Sequence, residues 1–141
     1  MLYIIKINYL FSKVKFINMK KEFVNFICEL HGYLIRAKEI HWHTDSNSEH
    51  TLCDDFHDDL FKLEDEFAEV CMGLEGQKFE IGKLLPLVPN SKDFKQILVE
   101  FEQDVIKMKK SVSDAKYGGL NTVLDDMLKL ANKYKYRSTQ K

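Results

Sequence analysis

HWHTDSNSEHTLCDDFHDDLFKLEDEFAE, residues 41–69, holds four of the chain's five histidines, its only tryptophan and ten of its acidic residues. At roughly 100° per residue, Cys53, Phe56, Leu60, Leu63, Phe67, Val70 and Leu74 fall on one stripe of a helix predicted over residues 48–74. His50, Asp54, Asp65 and Glu69 fall on the opposite stripe. A helix with two such faces buries one and presents the other, so helical neighbours are expected on both sides of it in the sequence.

The flanks supply them. From Met19 to Thr44, Phe23, Phe26, Ile27, Leu30, Leu34 and Ala37 recur at helical steps, and His41 falls on the same inward stripe. Ser46, Asn47 and Ser48 break the pattern and offer capping oxygens to the helix that follows. Gly73, Gly76, Gly82, Pro86 and Pro89 end that helix and make a longer connection, in which KLLPLV is either a short helical turn or an extended piece. Ser91 is the expected cap of a third helix, with Asp93 in its first turn, carrying Phe94, Ile97, Leu98, Phe101, Val105, Met108 and Val112, and Gly118 and Gly119 are expected to stop it. A fourth helix, expected to be the shortest, carries Leu120, Val123, Leu124, Met127, Leu128 and Ala131 and gives way to the tail KYKYRSTQK. The reading is all-α: a four-helix bundle over residues 19–136, with a longer connection between helices 2 and 3 and a tail at residues 137–141. Residues 1–18 read as an N-terminal extension, and Met19, followed by KKEF, is an alternative start that would place them upstream of the protein.

Composition agrees with one helical domain: 141 residues, 45% hydrophobic and 30% charged, with two prolines and six glycines. A net charge of −1 gives no general attraction to nucleic acid or to a membrane surface. The apolar opening segment MLYIIKINYLFSKVKFIN is interrupted by Lys6, Lys13 and Lys15 and followed by no small-residue cleavage site, so neither a signal peptide nor a membrane span is expected. Cys28, Cys53 and Cys71 have no CxxC spacing and cannot all pair, which argues against a disulfide framework and suits a reducing cytoplasm.

The polar stripe is suited to metal chemistry. His50 and Asp54 are an i, i+4 pair, as are Asp65 and Glu69, so each pair can offer two ligand groups side by side. Imidazole with carboxylate suits iron, with zinc or manganese as alternatives. The two pairs are about 16 Å apart along a helix rising 1.5 Å per residue, too far to share an ion within one chain. A two-fold axis near the middle of the stripe would lay His50 and Asp54 of one copy against Asp65 and Glu69 of another, with His41 at the edge of each site. Such a pocket would hold one or two non-haem iron ions and leave positions for peroxide or O₂. Trp42 would pack in the interface or intercept radicals.

The HW pair ending a first helix, the His-x3-Asp pair and the Asp-x3-Glu pair within DLFKLEDEFAE resemble the Dps miniferritins of the ferritin-like superfamily. That resemblance implies an intersubunit ferroxidase centre made by His41, His50 and Asp54 of one subunit with Asp65 and Glu69 of its two-fold mate. It also implies Fe(II) oxidation by peroxide or O₂ and storage of ferric mineral in a shell of twelve subunits. The sequence departs from that pattern in a shorter segment between His41 and His50, a missing glycine there, and Cys53 where the family's second histidine would align. The chain is also similar to a group of small ferritin-like proteins, some phage-encoded, which would place it in a host cytoplasm.

Lesser signals are weaker. His41 and His43 stand at i and i+2, on different helix faces, and do not make a zinc pair. His57 at the edge of the acidic face is an extra ligand, a proton carrier or a solvated residue. The basic tail, with Lys133, Lys135 and Arg137, is a weak DNA patch or a frayed terminus. The competing reading of the whole chain is a non-catalytic ferritin-like structural or interaction protein whose acidic face is an interface or a solvated surface.

Overall fold

A computed structural model describes residues 19–140, so the expectations about residues 1–18 lie outside the described residues. Those described residues form four long helices and no strand: α1 Lys21–His43, α2 Asn47–Glu75, α3 Phe94–Ser111 and α4 Gly118–Arg137, with a 3₁₀ turn at Ala115–Tyr117. None of these helices is long and apolar enough to cross a membrane.

Local chemistry sets the helix ends. Ser46 Oγ accepts the Glu49 N–H at 3.3 Å, the first half of a Ser-x-x-Glu box that starts α2. Gly76 ends α2 in the left-handed conformation, φ 65°, which side chains disfavour. Three boundaries differ from the sequence expectation. Asp93, not Ser91, caps α3: its Oδ1 accepts from the Lys95 N–H at 3.3 Å, and Ser91 Oγ accepts from the Asp93 N–H one step earlier. Gly118 and Gly119 open α4 rather than ending α3, because the turn between the helices is held by Asn121, whose Nδ2 donates to Val112 O at 2.6 Å. And α4, at 20 residues, outlasts the 18-residue α3, because Tyr134 is a core residue that carries the helix into the expected tail.

The helices pack pairwise: α1 on α2 and α3, α4 on α2 and α3. Ion pairs and hydrogen bonds show each pairing to be antiparallel. His31 meets Glu64 and Lys38 meets Asp54 across α1 and α2. Arg137 meets Asp55 at 2.8 Å and Tyr134 meets Asp59 at 2.6 Å across α2 and α4. Lys135 reaches Glu102 at 2.7 Å and Lys109 meets Asp125 across α3 and α4, and these directions together leave α3 antiparallel to α1. The apolar stripes meet in one core, centred on Phe56, which takes edge-to-face contacts from Phe94 at 5.6 Å, Phe101 at 5.7 Å and Tyr134 at 5.4 Å. Of the stripe read on α2, Cys53, Phe56, Leu60 and Phe67 are buried, Leu63 and Val70 half-buried; Leu74 is exposed, since the chain turns away at Gly76.

The connection from Gly76 to Asp93 contains no helix, so KLLPLV is extended. It climbs the outside of α1. Leu87 N–H donates to Cys28 O at 2.8 Å, and Arg36 Nη2 donates to Pro89 O at 2.9 Å. At Gly32 the approach is so close that a Cβ would stand 1.8 Å from the Leu87 carbonyl oxygen. The chain thereby returns from the far end of α2 to the end where α2 began, and α3 can run parallel to α2.

Candidate functional site

The α1–α2 hairpin brings His41 and His50 together at its closed end. Their rings stack with centroids 3.7 Å apart and an interplanar angle of 21°. His41 Nδ1 lies 2.6 Å from the His50 carbonyl oxygen, and His50 Nδ1 lies 2.7 Å from the His41 carbonyl oxygen. A carbonyl only accepts, so each Nδ1 carries the proton and donates. The His41 carbonyl is one of the last four of α1, which have no partner within the helix, and the His50 ring supplies it. In the neutral rings both Nε2 atoms then carry the lone pair, the tautomer a metal ion binds. His41 was expected on the inward stripe. Instead it ends that stripe, half-exposed, because the helix stops two residues later and its ring packs on His50 rather than on the core.

Asp54 stands one turn beyond His50, half-exposed, in an ion pair with Lys38 of α1. The Lys38 ammonium holds the Asp54 carboxyl below its ordinary value, with smaller contributions from the charges of His41 and His57. Asp65 and Glu69 are exposed further along the same face of α2. Among the described residues, no three His, Cys, Asp or Glu side chains of one chain converge as a metal site. The five candidate residues thus divide into a His41–His50–Asp54 end and an Asp65–Glu69 end, separated by the length of α2 between residues 54 and 65.

Three features of this face escaped the sequence reading. No sequence spacing pairs Lys38 with Asp54; only the antiparallel hairpin puts them opposite one another. Phe61 is 56% exposed on α2, in the middle of the acidic stripe, with the His57 ring stacked 6.3 Å from it. An aromatic there was legible as an anomaly, because large exposed apolar groups within a polar rim mark interfaces. Glu64 is buried against α1: His31 Nδ1 stands 3.0 Å from Glu64 Oε2, off the line a hydrogen bond needs, which leaves that oxygen buried without a hydrogen-bond partner. Burial pushes the Glu64 carboxyl up to about 7, with the charge of Asp65 adding to the effect.

The geometry also places Cys53, His57 and the basic tail. Cys53 faces the core, and burial pushes its thiol up to about 12, so it does not take the place of a ligand histidine. His57 lies 3.1 Å from Asp58 Oδ1. The tail is not frayed as far as Arg137: Lys135 and Arg137 bind Glu102 and Asp55, and Lys133 Nζ lies 3.8 Å from Asp59.

Residues 41–137, well over half of the chain, match the family described as "Family of unknown function (DUF5856)", and the chain belongs to that family. Comparison with curated proteins and with solved structures gives no match.

Proposed function

We propose that this member of the DUF5856 family is a ferritin-like four-helix bundle, related in design to the Dps miniferritins, that binds Fe(II) between two copies of the chain and oxidises it. The helix order supports the architecture: two antiparallel hairpins, α1–α2 and α3–α4, joined by a crossover the length of α2, are the connectivity of ferritin-like bundles. The observation that carries the function is the His41–His50 pair. Both Nδ1 protons are committed to backbone carbonyls, so two imidazole lone pairs are pre-set at one end of an acidic helix face.

The remaining ligands, Asp65 and Glu69, come from a second copy. An isologous pairing of α2 faces about a two-fold axis near Phe61 brings them to the partner's His50 and Asp54 and covers the exposed aromatic ring. Each dimer then has two equivalent sites, and such dimers are the unit from which a twelve-subunit shell is built. Iron is the substrate: two Fe(II) ions each give one electron to a peroxide, whose O–O bond breaks to yield two waters as two protons are taken up. The carboxylates favour the more highly charged product. Zinc and manganese suit the same donors and are expected to compete. Cytoplasmic residence fits three free, buried cysteines. The test is the rate at which ferric absorbance appears after Fe(II) addition with peroxide. Asp65→Ala/Glu69→Ala is expected to lose most of the rate above background, and rates equal to native would overturn the proposal.

The Lys38–Asp54 ion pair favours a second reading, in which the acidic face is only a structural or docking surface whose charges are satisfied by lysines. That reading expects a melting temperature unmoved by Fe(II) or Zn(II). DNA compaction through the tail is not part of the proposal, because Lys133, Lys135 and Arg137 each face a carboxylate of the same chain.

A further inference from the structure

A cavity of about 560 Å³ opens beside the end of α1, away from the Asp65–Glu69 half of the acidic face, lined by Arg36, Glu39, Trp42, His43, Glu49 and Lys92 among others. Its volume is in the range that small-molecule sites occupy. Two observations ask for an occupant. Trp42, the chain's only tryptophan, is 74% exposed on its wall, although so large an aromatic group is usually covered. Arg36 is held in place by its bond to Pro89 O, yet its Nε is buried without a hydrogen-bond partner. The nearest carboxylate oxygen, Glu39 Oε1, is 3.8 Å away, too far to accept from it. A buried guanidinium N–H without an acceptor is costly, and a small turn of the Arg36 side chain, which lines the cavity, would give it a ligand oxygen.

The lining specifies the ligand. Trp42 offers a flat face for a planar ring. Arg36 and Lys92 offer charge-assisted donors for an anionic oxygen group, and a guanidinium is suited to phosphate. Glu39 and Glu49 offer acceptors for hydroxyl or amino groups. A simple anion would leave the ring face bare, and an uncharged aromatic would leave Arg36 Nε unsatisfied. We propose that this cavity binds a mononucleotide, its base on Trp42 and its phosphate at Arg36 and Lys92. The site is independent of the proposed iron chemistry.

Trp42 fluorescence reports the site directly. Adenosine monophosphate, titrated into the metal-free full-length protein, should quench it saturably, with adenosine binding more weakly and inorganic phosphate competing. Lys92→Ala, an exposed position ahead of α3, should weaken adenosine monophosphate by about fivefold or more while adenosine is unaffected. Trp42→Ala, followed by calorimetry, should weaken both. No saturable quenching at millimolar nucleotide would overturn the proposal, as would equal affinity for adenosine and its monophosphate, or an unchanged affinity in Lys92→Ala. If a second copy of the chain covers Trp42 instead, quenching is absent and the emission shifts with protein concentration, which also overturns it.

Discussion

Glu64 and His31 face each other across α1 and α2, and burial moves them in opposite directions. The carboxyl is pushed up to about 7 and the imidazole is lowered. For Glu64 the folded value exceeds the unfolded one of 4.5, so its contribution to stability is full below that pH and is lost as pH rises through about 7. Glu64→Gln keeps the size and removes the charge. Relative to native protein the variant should therefore gain stability from about pH 5 to about pH 8, by about 3 kcal/mol at most. Urea unfolding across that range checks this, and parallel pH profiles for the two proteins would contradict it. At Asp54 the Lys38 ammonium is paired with the carboxylate that the proposed site would offer to a metal cation. Lys38→Met should return the Asp54 carboxyl toward its ordinary value and tighten Zn(II) or anaerobic Fe(II) binding in calorimetry, most clearly at low salt. Unchanged or weaker binding would instead make Lys38 a support of the site. The placement of His50, Asp54, Asp65 and Glu69 along one helix face was legible because one helix fixes their relative positions. Lys38 and Glu64 were not, because their roles depend on which residues another helix lays over them.

The elements were legible from hydrophobic period, and their ends less so. Ser46 was readable as a cap, and Ser46→Ala should cost about 1 kcal/mol in urea unfolding. Asp93 and Ser91 were both plausible capping residues two positions apart, and only the turn geometry decides between them. The glycine pair at 118–119 reads as a stop in any local rule, yet the bond from Asn121 to Val112 lets a helix begin there. The crossover path was the least legible, although Gly32, alone in the middle of an otherwise regular helix, was its one signal. Gly32→Ala drives a methyl into the Leu87 carbonyl and must push the connection off α1. A loss of about 3 kcal/mol is expected, with the connection becoming the first site of proteolysis. A native-like unfolding midpoint and cleavage pattern would mean that the connection does not lie there.

At the scale of the molecule, the four stripes and the long connection were enough to expect a helical bundle, but not the pairing order, which comes from contacts such as Tyr134 with Asp59 and Leu87 with Cys28. One α2 face carries the two half-sets of proposed ligands, His50 with Asp54 and Asp65 with Glu69, eleven residues apart, with an exposed Phe61 between them. In the proposed pairing the second copy both covers Phe61 and completes each half-set, so the protein should sediment as a dimer or a higher even assembly, and Phe61→Asp should shift it toward monomer. Subunit mixing tests the shared site most directly. His50→Ala/Asp54→Ala and Asp65→Ala/Glu69→Ala should each be nearly inactive in Fe(II) oxidation alone. Mixed in equal amounts and allowed to exchange, they should recover about a quarter of the native rate, since half the dimers are hybrids and each hybrid has one intact site of two. A mixture no faster than the separate variants, or native rates from either variant alone, would contradict a site built from two chains.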